Sequence, residues 1–213
     1  YNVHAMNLQA GDQHQDEYLK ICPNGRIPAI VDTDNDDFAV FETGAIMIYL
    51  AEKAGRFLPS ELGARTRTLS WLFWQVGGLG PMAGQAHHFR VYATEQVPYG
   101  IRRYTDEVNR LYGVMNNRLY DRRYLAGDDY TIADMISYPW TVGWEKQGQD
   151  LGEFPYFKRW FEELGARPAV KAGMEVGSDM TVDTSKLTPE EIARLRGLLY
   201  NQRARPAPEG GLL

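Results

Sequence analysis

Strand-like patterning in this chain stops at Phe41, and the apolar runs after it have helical spacing. That asymmetry constrains the fold more than any single motif: a short α/β portion must come first and an all-helical portion second. In the first portion, YNVHAMNL alternates as a strand does, GDQHQ interrupts it, and a short helix is expected around Glu17 to Ile21. IPAIV is a β-branched run that stops at the acidic cluster DTDNDD, and FAVF resumes in extended form, which reads as a β-hairpin. From Thr43 the residues Ala45, Ile46, Ile48, Tyr49 and Leu50 share a broad helical face, and Gly55 supplies the stop. The expected order is β, α, β, β, α.

FLPSELG, residues 57–63, places proline, serine and glycine between these unlike portions. The expected domains are therefore an α/β unit at 1–56, a linker at 57–63, and an all-helical unit with an extended tail at 64–213. A long helix is expected from about Ala64 to Phe89, where GGLGP at Gly77 to Pro81 must kink it or admit another backbone at close range. A second runs from about Pro98 to Tyr120. Thr131 and Asp134 have the N-cap and N3 spacing of a capping box ahead of MISYPW. Further helices fit Pro155 to Gly165 and Pro168 to Gly177. Thr188, Pro189 and Glu191 form a second cap signature before IARLRGLLY, and the closing RARPAPEGGLL reads as disordered or loosely docked.

Charge and composition narrow the partners. A net charge of -5 gives no electrostatic reason to bind nucleic acid or an anionic membrane, and 44% hydrophobic residues can fill real cores. A small molecule or a protein is the expected partner. The single cysteine, Cys22, excludes an internal disulfide, a CxxC redox pair and an all-cysteine metal site, which suits a reducing compartment such as the cytoplasm. No apolar run reaches membrane-spanning length, and no targeting leader is read at Tyr1. His87 and His88 are adjacent, so on a helix they point about 100° apart and cannot share one ion. DTDNDD lacks the terminal Glu of a calcium loop. No metal site is expected.

The stretch NGRIPAIVDTDNDDFAVFETGAIMIYL holds the candidate site. Pro28 at a strand entry cannot donate to a ladder, so the edge beside it stays open, and a cis Ile27–Pro28 bond would turn the backbone of Ile27 outward toward an extended peptide. Glu42 and Thr43 stand at a helix start, where free N–H groups and a hydroxyl suit a carboxylate and an acidic side chain suits an ammonium group. Taken singly, each feature also fits an ordinary strand-entry proline and an ordinary helix cap. Together they describe a slot for a peptide with an α-amino-acid head and an extended middle.

These residues resemble the glutathione site of the glutathione transferase superfamily, with its NxxIPA turn and cis proline, strand pair and F-E-(S/T)-G-A-I helix start. WLFWQVGGLGPMAGQAHHF, PYGIRRY, YLAGDDYTIAD and YPW resemble the bacterial nu class, of disulfide-bond reductase type and related to the yeast nitrogen-regulating prion protein. The resemblance implies a thioredoxin-like N-terminal domain followed by an all-α bundle. It implies that Glu42 and Thr43 bind the γ-glutamyl amine and carboxylate, and that the Ile27 backbone before Pro28 pairs with the cysteinyl residue. Gln13, helped by Arg26, reaches the glycyl carboxylate, and Arg103 reaches the glutathione of the neighbouring subunit in a homodimer. Family members begin with a strand, a thiol-activating loop and a helix that are expected upstream of Tyr1, so no catalytic residue is assigned in these 213 positions. Glutathione is then the cosubstrate and a small disulfide or electrophile its partner, with the glutathione thiolate as nucleophile. Disulfide reduction or glutathione transfer is the expected activity. Glutathione-dependent ether or thioether cleavage and a non-catalytic binding module are the competing readings.

Overall fold

A computed structural model describes residues 1–8, 10–178 and 187–200. The chain divides into two compact units, one built on Tyr1–Ile46 with the described residues from Glu175 onward, the other on Met47–Met174.

The first unit holds a 3-10 turn at Asp12–His14, helix α1 (Asp16–Ile21), strands β1 (Ala29–Asp32) and β2 (Phe38–Phe41), and the start of α2 (Thr43–Ala54). The strands pair antiparallel, from Ala29 opposite Phe41 to Asp32 opposite Phe38. DTDNDD fixes that register as a turn. Asp32 Oδ1 accepts from Asp34 N–H at 3.1 Å, Asp32 O accepts from Asn35 N–H at 3.1 Å, and Asp36 and Asp37 adopt φ of 50° and 54°. Aspartate tolerates this left-handed region better than most side chains. Helix α9 (Pro189–Tyr200) opens on a full capping box, Thr188 N–H donating to Glu191 Oε2 at 2.8 Å and Glu191 N–H to Thr188 Oγ1 at 3.2 Å. RARPAPEGGLL lies outside the described residues.

The alternation of Tyr1–Leu8 does not produce a strand. A strand persists only where its N–H and C=O groups face a neighbour, and among the described residues the sheet consists of β1 and β2. Polar turn contacts take over at its end: Asn7 N–H donates to Asp12 Oδ2 at 2.8 Å, and Asn7 Oδ1 accepts from Ala10 N–H at 3.1 Å.

In the second unit, Met47, Ile48 and Ala51 of α2 pack with Phe57, Leu58, Leu72, Ile132 and Ile136. Helix α3 (Leu62–Trp74) begins two residues before the expected Ala64, because the Glu61 carboxylate caps it by accepting from Gly63 N–H at 2.8 Å and Ala64 N–H at 2.7 Å. The expected single helix then widens into a π turn at Gln75–Leu79, resumes as α4 (Gly80–His87), and widens again at His88–Tyr92. A Cβ at Gly80 would lie 2.8 Å from Gln75 Nε2, 3.3 Å from Gln75 O and 3.5 Å from Trp140 Cε2, and one at Gly84 would lie 3.4 Å from Trp140 Cζ3. Gly80 makes room for the Gln75 amide and carbonyl of the π turn as well as for the Trp140 indole, and Gly84 for the indole alone.

Helix α5 (Pro98–Arg118) buries Val108, Leu111, Tyr112 and Met115, spaced as one face of a helix, in a core shared with Phe157, Trp160 and Leu164 of α7 (Pro155–Ala166). Each fully buried side chain of this size contributes about 1.5–3 kcal/mol. Helix α6 (Ile132–Thr141) starts at the expected capping pair, where the buried Asp134 accepts from Thr131 N–H at 3.1 Å, Leu125 N–H at 2.9 Å and Trp160 Nε1–H at 2.9 Å. Helix α8 (Pro168–Glu175) follows a break at Arg167. Among the described residues, no helix is long and apolar enough to cross a membrane.

Candidate functional site

The turn that leads into β1 is built by a glycine. Gly25 has φ +61°, and a Cβ there would lie 3.1 Å from Gln13 O and 3.2 Å from His14 Nδ1, so the turn Cys22–Arg26 closes tightly only without a side chain at that position. Its Arg26 carbonyl accepts from Tyr18 Oη at 2.6 Å and from Cys22 Sγ at 3.2 Å. Partial burial, followed by the neighbouring Cys22, pushes the Tyr18 hydroxyl above its ordinary range, which keeps it a proton donor. Ile27–Pro28 is cis, and Ile27 is 49% exposed.

On the facing side, β2 hands over to α2 through Glu42, whose φ is +69° and whose carbonyl accepts the first helical bond from Ile46 N–H at 2.9 Å. Glu42 is thus the N-cap and Thr43 the first helical residue. The N–H groups at this end have no intrahelical acceptor, which makes the helix start attractive to an anion. Asn24 Nδ2 donates to Glu42 Oε1 at 3.2 Å and ties the turn to the helix start.

A small, solvent-open depression is lined by Cys22, Arg26, Ile27, Pro28, Glu42 and Thr43. Five of the seven residues singled out in the sequence therefore meet at one place. Gln13 does not line it: it lies in the 3-10 turn, 2% exposed, with Nε2 3.5 Å from Leu8 O and Oε1 without a hydrogen-bond partner among the described residues. Arg103 is on α5 in the second unit, where its half-exposed guanidinium lies 3.7 Å from Glu107 Oε2. Cys22 and Asn24 join the site without having been singled out for it. An asparagine four residues before a strand-entry proline was the available signal for Asn24. Cys22 is 1% exposed and contributes to the wall of the depression. Among the described residues, no three His, Cys, Asp or Glu side chains are grouped to hold a metal ion.

The depression is lined by residues that carry a carboxylate (Glu42), a hydroxyl at the helix start (Thr43), a guanidinium (Arg26) and, at Ile27, a backbone N–H with no hydrogen-bond partner among the described residues. It is suited to a zwitterionic head followed by an extended chain.

Known proteins share this frame. Residues 1–52 match the model of the glutathione S-transferase N-terminal domain, and residues 102–168 match that of the glutathione S-transferase C-terminal domain. The chain is 48% identical over 173 residues to the disulfide-bond oxidoreductase YfcG of Escherichia coli (strain K12), covering 79% of this chain and 80% of that protein. It is 40% identical over 181 residues to the disulfide-bond oxidoreductase YghU of the same organism, covering 81% of this chain and 63% of the relative. A glutathione transferase family member from Pseudomonas fluorescens pf-5, solved with two glutathione bound, superimposes with a TM-score of 0.77 at 39% identity, over 82% of each chain.

Proposed function

Because this chain belongs to the glutathione S-transferase superfamily, we propose that it is a glutathione-dependent enzyme whose main reaction is the reduction of disulfide bonds. The observation that carries the reading is the meeting of Arg26, Ile27, Pro28, Glu42 and Thr43 around one depression. Glutathione presents a zwitterionic γ-glutamyl head, a cysteinyl middle and a glycyl carboxylate. Glu42 pairs with the ammonium group, and Thr43 with the N–H groups at the start of α2 takes the γ-glutamyl carboxylate. The Ile27 backbone pairs with the cysteinyl residue as a one-residue strand addition. Arg26 serves the glycyl carboxylate, and Gln13 joins it only by turning its buried side chain out from the contact to Leu8 O at 3.5 Å, which is at the limit of a hydrogen bond. Residues 1–56 bind glutathione in this reading, 57–63 connect, and 64–213 form the helical portion.

The chemistry follows from the bound thiol. As a thiolate, its sulfur attacks one sulfur of a disulfide, forming a mixed disulfide and releasing the other sulfur as a thiolate. A second glutathione thiolate attacks the glutathione sulfur of that mixed disulfide, giving oxidised glutathione and the second free thiol. Two glutathiones supply the two electrons, and the relative solved with two glutathione bound fits that stoichiometry. Attack by the same thiolate on an electrophilic carbon is glutathione transfer, and the site serves both. We do not assign the redox step to Cys22, which is buried and bonded to Arg26 O. The functional unit in this proposal is a homodimer in which Arg103 reaches the partner's glutathione, and its compartment is the reducing cytoplasm.

The deciding experiment measures glutathione binding and glutathione-dependent reduction of 2-hydroxyethyl disulfide by the purified full-length protein, with the residues expected upstream of Tyr1 in place. Turnover above the uncatalysed rate is expected, with loss on Glu42→Ala. Binding without turnover would make the chain a non-catalytic module, and absence of binding would remove the glutathione reading altogether.

A further inference from the structure

Two side chains from α1 and its C-cap converge on one backbone oxygen. Tyr18 and Cys22 are four residues apart, on one helical face, and both donate to the Arg26 carbonyl, at 2.6 Å and 3.2 Å. That carbonyl shares its peptide unit with the Ile27 N–H. The unit is planar, and it is trans, since the cis bond among the described residues is the next one, Ile27–Pro28. In a trans unit the C=O and N–H point in opposite directions. Holding the Arg26 oxygen toward α1 therefore aims the Ile27 N–H away from it. This N–H has no hydrogen-bond partner among the described residues, and Ile27 lines the depression.

We infer that Tyr18 and Cys22 are a positioning pair for peptide recognition: by holding the Arg26 carbonyl they set the direction in which the Ile27 N–H meets the cysteinyl carbonyl of glutathione. The inference rests on the glutathione reading above and adds to it Tyr18, which does not line the depression, and Cys22, which lines it and also acts through the Arg26 carbonyl. Tyrosine supplies the stronger donor and the thiol the weaker one. Without them the peptide unit can rotate, and the N–H is no longer held ready for its acceptor before the ligand arrives.

The test compares two ligands by calorimetry: glutathione, and γ-glutamylcysteamine, which keeps the γ-glutamyl head and the thiol but has no cysteinyl carbonyl. Tyr18→Phe is expected to weaken glutathione binding roughly fivefold, the effect of about one hydrogen bond, and to leave γ-glutamylcysteamine binding unchanged. Cys22→Ala should give a smaller loss of the same kind, and Cys22→Ser, which retains a donor, should restore it. If Tyr18→Phe and Cys22→Ala bind glutathione as the wild type does, or lose both ligands in equal proportion, the positioning role is wrong while the glutathione reading stands. If the wild type binds neither ligand, the glutathione reading itself falls and the inference with it.

Discussion

Asn24 Nδ2 donates to Glu42 Oε1 at 3.2 Å, joining the turn before Ile27 to the first residue of the α2 cap. The bond spans 18 positions of sequence and orients a carboxylate that the proposed reading assigns to an ammonium group. Charge should matter more here than orientation. Glu42→Gln keeps the size of the side chain and removes the charge-assisted bond, a loss of about 1.5–3 kcal/mol or roughly ten- to hundredfold in glutathione affinity. Asn24→Ala leaves the charge and removes one exposed partner, so about a threefold loss is expected. Calorimetric titration separates the two, and equal effects would contradict the assignment of Glu42.

The second unit depends on a different carboxylate. Asp134 is fully buried and accepts from Leu125 N–H, Thr131 N–H, Thr131 Oγ1–H and Trp160 Nε1–H. Asp134→Ala strands buried donors and should cost about 3–5 kcal/mol. Asp134→Asn keeps one acceptor oxygen but turns an NH₂ toward some of those donors, so an intermediate loss is expected. Urea unfolding measures both, and an alanine variant within about 1 kcal/mol of wild type would show that the surrounding loop finds other acceptors.

How legible these features were in the sequence depended on whether they were local. The hairpin, the α2 start and both capping boxes were readable because DTDNDD, Glu42-Thr43, Thr131-Asp134 and Thr188-Glu191 carry their own turn and cap chemistry within a few residues. The alternation in Tyr1–Leu8 predicted a strand and failed, since alternation says which face would be buried, not whether a neighbour exists to pair with. GGLGP announced a kink or a close approach but could not say that Gln75 and Trp140 are what meet Gly80. Asn24 and Cys22 were missed for the site because their roles arise when a loop closes onto residues distant in sequence or on another element. Gln13 was named by resemblance alone, and its burial away from the lining residues could not be read from GDQHQ.

Arg103 provides the test of the proposed homodimer. Its ion pair with Glu107 is long and half-exposed, and Glu107 is held more closely by Arg110 at 2.7 Å. A pair of that kind contributes little to stability. Arg103→Ala should therefore leave the urea midpoint nearly unchanged while weakening glutathione binding about tenfold, the cost of one charge-assisted bond. Mixing Arg103→Ala with Glu42→Gln subunits adds a second readout. If the arginine acts across the interface, each mixed dimer regains one intact site, and half of the wild-type high-affinity sites return in that fraction. Unchanged affinity of Arg103→Ala, or no recovery on mixing, argues against a role in the partner's site.

His87 should make the protein sensitive to mild acid. Its ring stacks on Tyr92 with centroids 4.8 Å apart and planes 11° from parallel, and its buried Nε2 has no hydrogen-bond partner among the described residues. Burial, and then the nearby Lys146 charge, holds its pKa below the ordinary 6.5. The unfolded chain therefore takes up this proton at a higher pH than the folded one. Stability from this site is complete above about pH 6.5 and is lost as the pH falls through the window between 6.5 and the lowered folded value. His87→Phe retains an aromatic partner for Tyr92 and removes the titration, so its urea midpoint should decline less than the wild type between about pH 7.5 and about pH 5, from roughly one unit above to roughly one and a half units below the ordinary histidine value. An NMR titration reads the same group directly: a His87 ring-proton midpoint at or above 6.5 would mean that an acceptor or water reaches Nε2 and that the site contributes no acid sensitivity.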